Sequence, residues 1–346
     1  MLTIAGRAIG PEHPPFVIAE VAQTHEGSLG NAFALAEVAR DCGAHAIKFQ
    51  THIAAEESTP SEPWRVPFSR QDDSRYAYWR RMEFTFEQWA ELKRHCDELG
   101  IVFLSSPFSV LACDWLEALD VPAWKVASGE IHNAQLLERM RASGKPILVS
   151  TGLAAPDEAL AVVRSLSEAG HPVALFHCTT QYPTPPEQVG LNVLADYLAA
   201  LPGIPVGLSD HTGTPTAGIV AAYLGASLIE VHLTFHDKAF GPDVPSSLTP
   251  ERLRALVEGS EAAWRMRRNP VDKDRQIAGL ANLRTTFGRS LFTAVEVPAG
   301  TELTEAMVAY KKPGGGLRYE DRSTVLGRRT VRSLPRDHRL GPDDVD

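Results

Sequence analysis

The chain has 346 residues, 44% of them hydrophobic and 22% charged, with a formal net charge of −9. That is the composition of a globular protein with room for one large α/β domain and a small second one. Excess acid argues against nucleic-acid or anionic-membrane partners, which are held by basic patches. No apolar run approaches the ~20 residues that span a bilayer, and the N-terminus lacks the basic-then-apolar order of a secretory leader. Cys42, Cys96, Cys113 and Cys178 form no CxxC pair, which points to reduced thiols in a cytoplasmic protein.

Eight short apolar runs recur along the chain: Phe16–Val21, Ala46–Gln50, Val102–Ser106, Trp124–Ala127, Pro146–Ser150, Ala174–Cys178, Val206–Ser209 and Leu228–Leu233. Nearly continuous apolar character is what strands covered on both faces require. Amphipathic stretches separate them. Ala32–Cys42 stops at Gly43, Phe86–Leu99 at Gly100, and Pro156–Ala169, opened by a proline, at Gly170; Arg252–Arg267 closes the series. Eight strand–helix units predict a (β/α)₈ TIM barrel over residues 1–268.

Residues 52–85 interrupt the rhythm with a long insertion rich in Pro, Ser, Arg and aromatic residues. It follows the second strand, which places it over the barrel mouth, and loops of that length commonly carry function. Residues 269–288 read as a linker that is polar and contains Pro270. From Arg289 to Asp346 the pattern changes to short strands and turns, including Lys311-Lys312-Pro313-Gly314-Gly315-Gly316, which predicts a small β-rich domain.

A barrel displays its chemistry at the C-terminal ends of its strands, and here each run ends in polar groups. They are Glu20; Lys48 and Gln50; Ser105 and Ser106; Lys125, Ser128 and Glu130; Ser150 and Thr151; His177, Thr179, Thr180 and Tyr182; Ser209, Asp210 and His211; Glu230 and His232, with Asp243 beyond. A lone polar residue there is often a turn or cap. A lysine inside an apolar run is different, because burying an ammonium needs a counter-charge. Lys48 and Lys125 with Ser106, Ser128 and Ser209 suit a phosphate cradle. His211 and His232 end neighbouring strands and suit a divalent ion that also binds substrate oxygens. Glu20 and Glu130 are either proton-transfer groups or counter-ions for the lysines.

Several of these segments resemble the sialic acid synthase family. They are Ile18-Ala19-Glu20, Lys48-Phe49-Gln50-Thr51, Ser105-Ser106-Pro107-Phe108, Lys125-Val126-Ala127-Ser128-Gly129-Glu130, Cys178–Pro186, Gly207-Leu208-Ser209-Asp210-His211 and Gly241-Pro242-Asp243. The tail from Arg289 is similar to that family's antifreeze-like (SAF) domain. The resemblance implies condensation of phosphoenolpyruvate with an amino-sugar aldehyde of the N-acetylmannosamine type, giving a nonulosonic acid and phosphate. It places phosphoenolpyruvate on Lys48, Ser106, Lys125, Ser128 and Ser209, with Gln50 and Thr180 also facing substrate. His211 and His232 would hold Mn²⁺, with Mg²⁺ or Co²⁺ as alternatives. Glu20, Glu130 and Asp243 would handle protons or sugar hydroxyls, and Tyr182 would position a substrate. It also implies a domain-swapped homodimer in which Lys312, where the family has arginine, reaches the partner's sugar. Thr24 and Thr180 stand where the family usually has asparagine. Condensation with a different aldose, a class I aldolase using Lys125, and a non-catalytic carbohydrate-binding barrel are the competing readings.

Overall fold

A computed structural model describes residues 2–346. The chain divides into two compact units, Met1–Asn269 and Pro270–Asp346. The first opens with an antiparallel hairpin, β1 (Leu2–Ile4) and β2 (Arg7–Ile9), that the apolar pattern does not announce. Eight parallel strands follow: β3 (Phe16–Ala22), β4 (Ala46–Thr51), β5 (Val102–Pro107), β6 (Trp124–Val126), β7 (Ile147–Ser150), β8 (Val173–Cys178), β9 (Val206–Asp210) and β10 (Leu228–Leu233). They are hydrogen-bonded in the order β5-β4-β3-β10-β9-β8-β7-β6, and the two-residue β11 (Ser247–Leu248) adds to β10. The result is the nearly closed TIM-like barrel that eight strand–helix units predict.

Helices cover the outside: α1 (Leu29–Asp41), α4 (Phe86–Leu99), α5 (Val110–Ala118), α6 (Ala134–Ala142), α7 (Pro156–Glu168), α8 (Leu191–Ala200), α9 (Thr216–Leu224) and α10 (Pro250–Arg268). Their ends are set locally. Thr85 forms a capping box with Gln88 at the start of α4, and Gly100 ends that helix at φ +73°, a conformation that costs a glycine little. The insertion is more structured than a loop, with α2 (Ala54–Glu57) and α3 (Arg75–Met82) inside it. Ser74 caps α3 by accepting from the Ala77 N–H.

The two-residue period of a strand divides the barrel into layers. Outward residues such as Val17, Ala19, Ile47, Phe49, Phe103, Val149, Leu208 and Val231 join the main core beneath the helices. Inward residues near the strand N-termini, including Phe16, Ile18, Ala46, Leu104, Leu148, Phe176 and Leu228, pack with Leu2, Ile4 and Ile9 of the hairpin. The hairpin therefore plugs the lower end of the barrel with apolar side chains. One inward layer higher the residues turn polar, which leaves chemistry only at the mouth.

In the second unit, residues 269–288 are helical for much of their length, as α11 (Lys273–Ala278) and α12 (Ala281–Phe287), where the polar sequence reads as linker. Asp272 starts α11 by accepting from the Asp274 and Arg275 N–H groups. β12 (Ser290–Thr293) pairs antiparallel with β13 (Val308–Lys311). Leu291, Val297, Leu303, Val325, Leu334, Leu340 and Val345 form a small core.

Gly207 of β9 faces the crowded barrel interior. A Cβ there would lie 2.6 Å from the Leu228 carbonyl oxygen and 3.0 Å from Phe176. Gly207→Ala is expected to destabilise the barrel by about 1–3 kcal/mol through overpacking, seen as a lower urea midpoint; an unchanged midpoint would show that the strands separate freely at this level.

Candidate active site

The inward residues of the mouth carry opposite charges from four strands. Lys48 Nζ on β4 pairs with Glu20 on β3 and lies 3.9 Å from Glu230 on β10. Lys125 Nζ on β6 lies 3.3 Å from the other Glu230 oxygen and donates to Ser150 Oγ at 2.6 Å. Lys48 also donates to Ser106 Oγ at 3.3 Å, and Ser209 Oγ donates to Glu230 at 2.9 Å. All four charged side chains are buried, and any one of them unpaired would cost several kcal/mol in desolvation.

The two carboxylates are driven in opposite directions. Burial raises Glu20 above the usual carboxylate range, with Glu230 adding to the push and Lys48 opposing it. Glu230 resists the same burial because Lys125, Lys48 and the Ser209 hydroxyl stabilise its anion, and it falls below that range. Burial also lowers Lys125, against the pull of Glu230. Neighbouring carboxyls with opposite shifts are a recurrent feature of acid–base sites.

Above this floor stand two imidazoles. The His211 and His232 ring centroids are 5.2 Å apart, and the Tyr182 ring lies 4.1 Å from His211 and 5.8 Å from His232. His211 Nδ1 donates to the Thr179 carbonyl at 2.9 Å, so its Nε2 keeps a lone pair. His232 Nδ1 is buried with no hydrogen-bond partner. Burial, helped by His232 at His211 and by Lys48 at His232, pushes each imidazole down to about 3. Two neutral imidazoles with free lone pairs fit a divalent cation as a two-ligand set. No cluster of three or more His, Cys, Asp or Glu suited to a metal occurs among the described residues, so the remaining positions would fall to water or substrate oxygens.

A cleft of about 380 Å³ opens onto these groups. Gln50, Ser128, Glu130, Thr180, Tyr182, His232 and Asp243 all line it. Ser128 Oγ accepts from the Gly152 N–H at 3.1 Å, and Glu130 accepts from Asn133 at 2.7 Å. Asp243 is buried, which raises its carboxyl above the usual range, while Arg65 pulls the other way.

The barrel thus brings together Glu20, Lys48, Gln50, Ser106, Lys125, Ser128, Glu130, Thr180, Tyr182, Ser209, His211, His232 and Asp243. Lys312 belongs to the C-terminal unit, where its Nζ lies 5.2 Å over the Phe287 ring. Thr24 is structural, with its hydroxyl shared between the Val21 and Leu233 carbonyls at 2.8 Å each. Two residues stand out that motif reading leaves unassigned. Glu230, visible as a strand-end residue, is the counter-ion common to both lysines. Arg65, from the insertion, stacks 4.5 Å over the Tyr182 ring and reaches Asp243 at 3.2 Å; no local pattern marks it out from other arginines of the insertion.

A TIM-like barrel with buried lysines, paired carboxylates and two imidazoles at its mouth has the form of an enzyme site for an anionic substrate. The NeuB family profile matches residues 35–271, and a SAF domain matches residues 288–346. The chain belongs to the NeuB family. It is 31% identical to N-acetylneuraminate-9-phosphate synthase of Homo sapiens over 346 residues, covering 99% of this chain and 95% of that one. It is 30% identical to N,N'-diacetyllegionaminic acid synthase of Campylobacter jejuni, covering 93% and 97%. A crystal structure of the N-acetylneuraminic acid synthetase of Leptospira borgpetersenii superposes with a TM-score of 0.71 at 27% identity, covering 81% of this chain and 96% of that one. No helix among the described residues is long and apolar enough to cross a membrane.

Glu230→Ala would leave Lys125 buried against a serine alone. Urea denaturation is expected to show a loss of about 3–5 kcal/mol, with Glu230→Gln losing less because it can still accept from Ser209. A loss below about 1 kcal/mol in the alanine variant would mean that Lys125 draws its stabilisation from elsewhere.

Proposed function

We propose that the protein condenses phosphoenolpyruvate with an N-acylated amino-sugar aldehyde of the N-acetylmannosamine type and water, giving a nonulosonic acid and phosphate. The observation that carries this reading is the buried set of Lys48, Lys125, Ser106 and Ser209 at the barrel mouth, with Ser128 and His232 lining the cleft together with further polar groups. The relatives named as synthases of N-acetylneuraminate 9-phosphate and of diacetyllegionaminic acid support it.

In this reading the ammonium groups and serine hydroxyls bind the phosphate and carboxylate of phosphoenolpyruvate. C3 attacks the aldehyde carbon, water adds at C2, and the C2–O bond to phosphate breaks as the ketone forms, the proton of the C2 hydroxyl leaving on the phosphate. The proton released by water and the one gained by the new alkoxide balance. Glu20, its carboxyl raised by burial, is suited to hold that proton between the two events, with Glu130 and Asp243 orienting hydroxyls. Tyr182 packs on both imidazoles and fixes the wall against which the aldehyde lies. His211 and His232 would hold Mn²⁺, or Mg²⁺ or Co²⁺, whose contribution is to polarise the acceptor carbonyl.

Phosphate release from phosphoenolpyruvate, with Mn²⁺ and a panel of amino-sugar aldehydes, tests the reaction. Sugar-dependent, EDTA-sensitive release is expected; release that ignores the sugar, or pyruvate trapped on Lys125 by borohydride, would refute it. His211→Ala and His232→Ala are each expected to abolish turnover and to weaken Mn²⁺ binding measured by electron paramagnetic resonance. Unchanged binding in both variants would remove the metal role.

The domain-swapped homodimer belongs to the same proposal. A Lys312→Ala enzyme is expected to show a raised sugar KM, and mixing it with inactive His211→Ala subunits should restore part of the low-KM activity. An unchanged KM would count against a role for Lys312 in sugar binding.

A further inference from the structure

The insertion supplies the upper wall of the cleft, and its charges differ from those of the floor. Apart from histidine, the acidic and basic side chains that line that cleft are Glu57, Glu62, Glu130 and Asp243 against Arg65 and Arg75. Both cations are already engaged, Arg65 with Asp243 at 3.2 Å and Arg75 with Glu62 at 3.2 Å. His52 meets Glu57 at 2.7 Å, and even counted as a cation it leaves acid in excess. A phosphomonoester, doubly charged near neutral pH, would find no uncommitted positive group on this wall and several carboxylates beside it.

Arg65 differs from Arg75 in where it stands. Its guanidinium carbon lies 4.5 Å from the centre of the Tyr182 ring, which packs against His211, while one N–H group goes to Asp243. An arginine has five such donors, and no second protein acceptor for Arg65 is found among the described residues. The free donors border the cleft beside Trp64 and Val66, whose apolar faces suit an acyl methyl or the C–H face of a sugar. Carbonyl and hydroxyl oxygens of a neutral acyl sugar match donors already tied at one end to a carboxylate.

Resting on the condensation reading, we propose that Arg65, held between Tyr182 and Asp243, is a specificity residue for the acceptor, which enters as an unphosphorylated N-acyl amino sugar. The floor is built differently: there Lys48 and Lys125 meet Glu20 and Glu230 one to one, out of reach of solvent, with the Ser106, Ser150 and Ser209 hydroxyls beside them.

Full-length enzyme with Mn²⁺ and phosphoenolpyruvate is assayed with N-acetylmannosamine and with its 6-phosphate. The free sugar is expected to have the higher kcat/KM by at least about tenfold, as follows from the loss of charge-assisted bonds and added repulsion. Arg65→Ala should raise the sugar KM about 10- to 100-fold and leave the phosphoenolpyruvate KM in place, with Arg65→Lys recovering part of the loss. Glu62→Gln, which frees Arg75, should narrow the preference. Equal or better use of the 6-phosphate, or a parallel rise in both KM values in Arg65→Ala, would overturn the proposal. If neither sugar releases phosphate while calorimetry still detects phosphoenolpyruvate binding, the condensation reading with this acceptor type fails. The role of Arg65 is then decided by calorimetric binding of the same two sugars: tighter binding of the free sugar, weakened in Arg65→Ala, supports it, and equal or absent binding refutes it.

Discussion

Two lysines and two glutamates taken out of water at the barrel mouth set the terms for everything around them. Each ammonium is tolerable only because a carboxylate from a neighbouring or facing strand meets it, and Glu230 serves both. That geometry needs β3, β4, β6 and β10 at fixed heights. The strand registers supply it, with Glu20 level with both Lys48 and His232. The apolar layer below and the hairpin plug exclude water from beneath, which strengthens each ionic contact and raises the penalty for losing one.

The same constraint links the floor to the insertion. Glu20 and His232 are register partners, Tyr182 packs on His232 and His211, and Arg65 packs on Tyr182. A continuous set of contacts therefore runs from the buried ion pairs through the imidazoles to the cleft wall. Residues along it are placed by the barrel at one end and by α2, α3 and their flanking turns at the other.

The sequence made the barrel legible because its strands are buried on both faces, so apolar runs and glycine stops survive as a plain pattern. The site residues were legible for a related reason: Lys48 and Lys125 interrupt apolar runs where a charge has no structural excuse. Three features were hidden. The hairpin Leu2–Ile9 is too short to show a period. Helices α11 and α12 are polar and brief, so composition reads them as linker. Arg65 joins the cleft beside Asp243 through a long-range contact, 178 residues apart in the chain. Glu230 was visible at a strand end, yet its importance lies in facing two lysines at once, which no linear spacing encodes.

The separation of charge between floor and wall follows from desolvation. A group bearing several negative charges is best received where water is already excluded and donors are fixed, since the field there is least screened. Lys48 and Lys125 occupy that level. Nearer the opening, Arg65 and Arg75 each carry a partner carboxylate and are more exposed than the lysines, so their fields are largely cancelled and screened. What such paired groups retain is direction: hydrogen bonds offered at set angles. Under the proposed condensation, a barrel arranged in this way would bind its anion by charge at depth and read its second substrate by hydrogen-bond geometry above it.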